Sequence, residues 1–300
     1  MAHRSSPFSR PQWLVAPAII FIAIFFLIPL GLMAYVSILE KGQFGGVTWG
    51  TFTLESYRRF LFEEDFLDPS VLVLNTDYLE IFLRSFWLSF STTILCLAIA
   101  LPTALYMAMQ PEKYRNLLIF LVTIPFWTNL LVRNYAWILL LRNGGLIDGW
   151  LRSLGVTDQP IDVLYTDFAI AIGLTYSFLP FMVLPIYASL EKLDFRLVEA
   201  AYDLGADKWR ALRRIVLPLA SPGIAAGCIL VFIPCLGAYV TPDLLGGAKK
   251  LMIGNLIQAQ FGSARNWPFG AALAFALLGL VLVTMMAYLM RFRTAPQVSK

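Results

Sequence analysis

Six apolar runs, each long enough to cross a bilayer, leave this chain few folds to choose from. Trp13–Val36, Ile81–Met107, Leu117–Leu141, Phe168–Leu190, Ala220–Val240 and Trp267–Met290 each reach the about 20 residues that a helix needs to span a hydrocarbon core. Inside lipid every backbone N–H and C=O must be satisfied within the segment, so each run is expected to be α-helical. The fold class that follows is all-α and integral to the membrane, a bundle of six transmembrane helices. Composition agrees: hydrophobic residues make up 59% of the chain and charged residues 14%, against about a quarter charged in soluble domains.

The first run is too long for the apolar core of a signal peptide, contains Pro17 and Pro29, and lacks a small-x-small cleavage site, so it is read as an uncleaved span. Cys96, Cys228 and Cys235 all fall in apolar runs without a partner at metal-ligand spacing, and read as small core residues. The net charge of +4 reflects topology and does not point to nucleic acid. If the N-terminus, with His3, Arg4 and Arg10, lies inside, thirteen of the 23 basic residues lie inside and eight outside, while thirteen of the 19 acids lie outside. By the positive-inside rule both termini are expected to be cytoplasmic.

The longest charged segment between two apolar runs is Glu191–Gly223. Leu197, Ala200, Ala201 and Leu204 recur at i, i+3, i+4 and i+7 and share one face of a short amphipathic helix, with Glu199 and Asp203 on another. Asp194 is placed to cap its start, Gly205 to form a left-handed C-terminal cap, Asp207 to cap a second short helix, and Pro218 to stop that one. The expectation is helix, sharp turn, helix.

Glu199-Ala200-Ala201, Gly205 four residues later, and then Ile215, Leu217 and Pro218 resemble the EAA loop of permease subunits of ABC importers of the type I kind. That resemblance implies coupling helices docked in a groove on a cytoplasmic ATPase dimer, with Glu199, Ala200, Ala201, Asp203 and Gly205 as the coupling residues. It also implies a second permease subunit, expected to be a distinct homologous chain, and an extracytoplasmic solute-binding protein. ATP and Mg belong to the ATPase, with no cofactor on this chain. The expected location is the bacterial inner membrane. Three segments follow: 1–80, a tail, first helix and outer loop; 81–290, the importer transmembrane domain with its coupling loop at 191–219; and 291–300, a cytoplasmic tail. The outer loop Ser37–Glu80, rich in acids such as Glu55, Asp65 and Asp68, fits either a docking surface or a solvated connector.

Two further stretches narrow the resemblance to spermidine/putrescine importer permeases. One runs from Pro125-Phe126-Trp127-Thr128-Asn129 through Arg133-Asn134-Tyr135-Ala136-Trp137 to Arg142-Asn143-Gly144-Gly145. The other is Pro242-Asp243-Leu244-Leu245-Gly246-Gly247, followed by Ile253-Gly254-Asn255 and Asn266-Trp267-Pro268. Ala238 stands where some of those permeases carry a carboxylate. Permeases for other small organic solutes share parts of these motifs, so the cargo stays open between a polyamine and another solute.

A polyamine needs dispersed carbonyls, carboxylates and aromatic faces. Trp127, Asn129, Tyr135, Tyr176, Tyr239 and Asp243 are the candidate pathway residues. Pro125 is expected to kink the third span or free a carbonyl, and Asn129, Arg133 and Trp137 to form one stripe, with Arg133 pairing with a carboxylate or a lipid phosphate. Gly144, Gly145, Pro242, Gly246 and Gly247 read as turns or gate loops. The chain has no G-x-x-x-x-G-K-[ST] loop, so ATP must be hydrolysed elsewhere. No Asp or Glu lies inside the six runs, which argues against an ion-coupled secondary transporter. With His3 as the sole histidine and no nucleophile-and-base cluster in the spans, an enzyme is not expected.

Overall fold

The computed structural model describes residues 16–64, 72–155, 159, 162–247 and 249–293. His3, Arg4, Arg10, the start of the first run at Trp13, Asp65, Asp68 and the tail from residue 294 lie outside the described residues. The chain forms two compact units, Met1–Asn75 with Ala259–Gly279, and Thr76–Gln258 with Leu280–Lys300.

In the first unit α1 (Ala16–Ser37) is a nearly uniform apolar helix, followed by an antiparallel hairpin of β1 (Leu39–Lys41) and β2 (Val47–Phe52). Then come α2 (Glu55–Leu61) and a second antiparallel pair, β3 (Phe62–Glu64) and β4 (Leu72–Leu74). The outer loop therefore has regular structure of its own. Ser37 Oγ and Tyr57 Oη lie 2.8 Å apart, the Gly46 N–H donates to Arg265 O at 2.8 Å, and the Arg59 guanidinium lies 5.5 Å from the Phe269 ring centroid.

The second unit holds most of the bundle. Its elements are α3 (Thr76–Ala108), α4 (Glu112–Trp127), α5 (Leu130–Leu141), α6 (Leu146–Ser153), α7 (Asp167–Leu190), α8 (Arg196–Asp203), α9 (Lys208–Ala211), a π-helical turn (Leu212–Val216), α10 (Leu217–Leu236) and α11 (Val240–Gly246). Two elements run on from it, α12 (Ile253–Phe261) and α13 (Trp267–Arg293). Among the described residues five helices are long and apolar enough to cross a membrane, and six if the bent pair α4–α5 counts as one span.

α7 is the central helix, packed along both α3 and α10. Lipid offers no hydrophobic force between helices, so close approach depends on small residues. On α10 these are Gly223 and Gly227, a G-x-x-x-G pair: a Cβ on Gly227 would lie 2.7 Å from Met182 Sδ, and one on Gly223 would overlap the Pro185 carbonyl. Cys96, Ala100, Met182, Ile186, Ala220 and Val231 form the buried core at this crossing.

Two sequence expectations change here. The third run is not one continuous helix: its arms, Glu112–Trp127 and Leu130–Ser153, meet at 90°. Pro125 sits inside α4, and the break comes at Thr128 and Asn129. The Thr128 hydroxyl donates to the Pro125 carbonyl at 2.7 Å, and Asn129 caps α5 by accepting the Leu131 N–H at 2.8 Å. A polar Thr-Asn pair that satisfies its own backbone thus makes the turn that proline alone would only bend.

Pro218, for its part, does not stop a helix. Lys208–Leu236 is one helical run. The widened turn is closed by an i→i−5 bond from the Leu217 N–H to Leu212 O, and Pro218 falls in the first turn of α10. Proline's missing donor is tolerated there.

Candidate functional site

The hairpin after α7 is built as its sequence pattern requires. Asp194 Oδ1 accepts the Arg196 N–H at 3.0 Å at the start of α8. At its end Gly205 takes φ +82°, its N–H donates to Tyr202 O at 2.9 Å, and the Ala206 N–H donates to Ala201 O at 2.9 Å. These two bonds are a complete Schellman cap. Asp207 Oδ1 then accepts the Arg210 N–H at 2.7 Å and starts α9.

The apolar stripe of α8 is not the face that this chain buries. Phe195 and Val198 turn inward against the α3–α7–α10 core. The Leu197–Ala200–Leu204 stripe faces out, with Leu204 89% exposed, and Trp209 of α9 is 68% exposed beside it. Glu199, Asp203 and Gly205 are exposed as well, and Ala201 is half-buried. An apolar stripe with small residues and two carboxylates is left uncovered by this chain.

The hairpin is tied at its base. Glu191 Oε1 accepts from Arg115 Nη1 at 3.1 Å and from the Tyr187 hydroxyl at 2.8 Å. Arg115 Nη2 in turn lies 3.5 Å from the carbonyls of Ala108 and Gln110, at the end of α3.

Further along α7 lies a cavity of about 440 Å³. It is bounded by the break between α4 and α5 (Phe126, Leu130, Arg133), by α7 (Leu174, Ser177, Phe178, Phe181) and by the break between α10 and α11 (Pro234, Gly237–Thr241). The second break is held from α12. Asn255 Nδ2 donates to Tyr239 O at 2.8 Å, and a Cβ on Gly254 would lie 2.6 Å from Ala238 O. The Ile253 N–H donates to the buried Ser85 hydroxyl at 2.8 Å, which fixes α12 to α3.

Of the six pathway candidates, Tyr239 lines this cavity. Tyr176 stands one residue from Ser177, edge-on to Trp137 at 5.7 Å. Asn129 is spent on the α5 cap, and Trp127 (80% exposed) and Tyr135 (56%) point away from the bundle core. Asp243 is exposed in the short α11. The Asn129–Arg133–Trp137 stripe therefore loses its first member to the turn. Among the described residues Arg133 meets no carboxylate: Nη2 donates to Thr128 O at 3.0 Å, and the guanidinium carbon lies 5.9 Å from the Tyr176 ring centroid. Phe126, Phe178, Phe181 and Thr241 were missed. The signal for them was the pair of helix breaks, since irregular backbone at membrane depth is tolerated where it lines a cavity.

The family model for binding-protein-dependent transport system inner membrane components matches residues 84–294. The spermidine/putrescine transport system permease protein PotB of Escherichia coli (strain K12) is 46% identical over 235 residues, 77% of this chain and 81% of that protein. The permease protein PotC of the spermidine/putrescine transport system in the same strain is 37% identical over 113 residues, 36% of this chain and 41% of PotC. Among solved structures, a bacterial alginate ABC transporter in complex with an alginate pentasaccharide-bound periplasmic protein matches with a TM-score of 0.73. It is 17% identical over 96% of each chain, a likeness of fold.

Proposed function

The chain belongs to the binding-protein-dependent transport system inner membrane component family, and from that premise we propose that it forms, with a second permease, the pathway of an ATP-driven polyamine importer. Membership makes it a multi-pass permease component of the inner membrane and not an enzyme. Identity of 46% over 77% of the chain to a spermidine/putrescine permease supports the polyamine cargo. PotB and PotC are two distinct permeases of one named system, both similar to this chain, which supports a heterologous partner over a second copy.

The observation that carries the importer mechanism is the uncovered apolar stripe of α8. A loop that served only to connect spans would turn Leu197 and Leu204 inward; here they stand out beside Glu199 and Asp203, a surface shaped for a groove on another protein. That protein is a cytoplasmic ATPase dimer, which binds ATP and Mg. The hairpin and both termini lie on its side of the membrane, in keeping with the distribution of basic residues. The exposed Phe44 and Trp49 of the β1–β2 hairpin support contact with a solute-binding protein.

Force reaches the cavity along one element. The Lys208–Leu236 run is continuous, about 40 Å of helix, from the turn after α8 to the Gly237–Tyr239 break that lines the cavity. ATP-driven closure of the ATPases moves the hairpin, α10 tilts with it, and the cavity opens outward to receive cargo; hydrolysis returns it inward.

The test is ATPase activity of the complete importer in lipid, presented with binding proteins loaded with spermidine, putrescine or an amino acid. Stimulation by a polyamine-loaded protein is expected. Stimulation by the amino-acid-loaded protein alone would leave the importer standing and overturn the cargo.

A further inference from the structure

Arg133 is the one charged side chain among the described residues lining the cavity, and it holds a carbonyl and an aromatic ring that are not themselves part of that lining but that a cationic solute could use once the guanidinium moves. An ammonium group leaving water needs carbonyl oxygens and aromatic faces to replace its hydration. The break between α4 and α5 offers the Thr128 carbonyl, and α7 offers the Tyr176 ring. The Arg133 guanidinium holds both, by a 3.0 Å hydrogen bond and from 5.9 Å over the ring. Among the described residues its buried Nε has no hydrogen-bond partner.

We propose that Arg133 is a built-in competitor for cationic cargo: it occupies the acceptors that an ammonium group would use, and has to leave them before cargo can bind. The inference rests on the polyamine reading above. An under-satisfied guanidinium yields more readily than one with every donor bound. Once displaced it still repels cargo electrostatically, so the site holds a polyamine weakly and releases it quickly. Cargo bearing several ammonium groups has the advantage, since one can displace Arg133 while another rests on Phe178 or Tyr239 across the cavity. Arg133 thereby sets both affinity and charge preference.

The experiment is equilibrium binding of radiolabelled spermidine to the complete importer in nanodiscs without binding protein, with N,N′-diacetylputrescine as an uncharged probe. Arg133→Met is expected to bind spermidine roughly three- to thirty-fold tighter, the range of one cation–π contact. Diacetylputrescine binding should not change, Arg133→Lys should stay near the wild type, and adding Tyr176→Leu to Arg133→Met should cancel the gain. A merely structural arginine would weaken binding in both substitutions. Unchanged or weaker spermidine binding by Arg133→Met, in an importer whose wild type takes up spermidine, overturns the competitor and leaves the cargo assignment intact. A wild type that neither binds nor imports polyamines overturns both. If Arg133→Met does not assemble, Arg133→Gln decides: the competitor model requires tighter spermidine binding with diacetylputrescine unaffected, and equal or weaker binding overturns it.

Discussion

Arg115 and Glu191 join the first turn of α4 to the first residue of the coupling hairpin, Nη1 to Oε1 at 3.1 Å, with the Tyr187 hydroxyl donating to the same oxygen at 2.8 Å. Both side chains remain partly exposed, 25% and 44%, so the pair adds under about 1 kcal/mol to stability. Its position matters more than its strength, because the hairpin must move as a unit with α7. Glu191→Gln is therefore expected to leave yield and thermal stability almost unchanged while lowering solute imported per ATP several-fold. The exchange Arg115→Glu with Glu191→Arg should restore coupling. A fully coupled Glu191→Gln importer would contradict this.

Gly205 has no atom within 4 Å of where a Cβ would lie, so any cost of substitution there is conformational. At φ +82° an ordinary side chain costs roughly 1–2 kcal/mol, and a β-branched one more. Gly205→Val is expected to open the Schellman turn and uncouple ATP hydrolysis from uptake, with normal membrane insertion; Gly205→Asn, which tolerates the left-handed region, should retain most uptake. Normal uptake by the valine variant would refute a docked, sharply turned hairpin.

A different failure is expected where α7 crosses α10. Gly227→Leu would drive a side chain into Met182, at a site where even a Cβ lies 2.7 Å from sulfur. Overpacking of this kind costs about 1–3 kcal/mol or more, so the variant should show a lower unfolding temperature and poor recovery from detergent. Coupling per assembled complex should change little. A stable Gly227→Leu protein would mean that α10 does not pack on α7 through these glycines.

The six spans, the Gly205 turn and the Asp207 cap were legible because each depends on local chemistry: apolar length, a residue that tolerates positive φ, a carboxylate beside a free N–H. The bend at Thr128 and Asn129 was hidden, since proline three residues earlier is the stronger kink signal and Asn129 also fits a polar stripe. The buried face of α8 was not legible for a different reason. Its spacing marks an apolar stripe but not which neighbour covers it, and the chain's own core takes Phe195 and Val198 instead. The cavity was least legible, being formed by two helix breaks that meet only after α7 packs between them.

Asn255 is the residue on which the second of those breaks depends. Its amide donates to the Tyr239 carbonyl at 2.8 Å, and its Oδ1 accepts the Met252 N–H at 3.3 Å, with Asn255 itself buried. Asn255→Leu leaves that carbonyl without its buried donor, a loss of about 1–3 kcal/mol. The hairpin is untouched by the change, so ATPase association should persist. What should fall is uptake, together with spermidine-stimulated hydrolysis, because the Gly237–Tyr239 segment no longer holds its place beside the cavity. Asn255→Asp, which keeps an acceptor for Met252 but cannot donate to Tyr239, should resemble the leucine variant. Full uptake by either one would show that the break is held without Asn255.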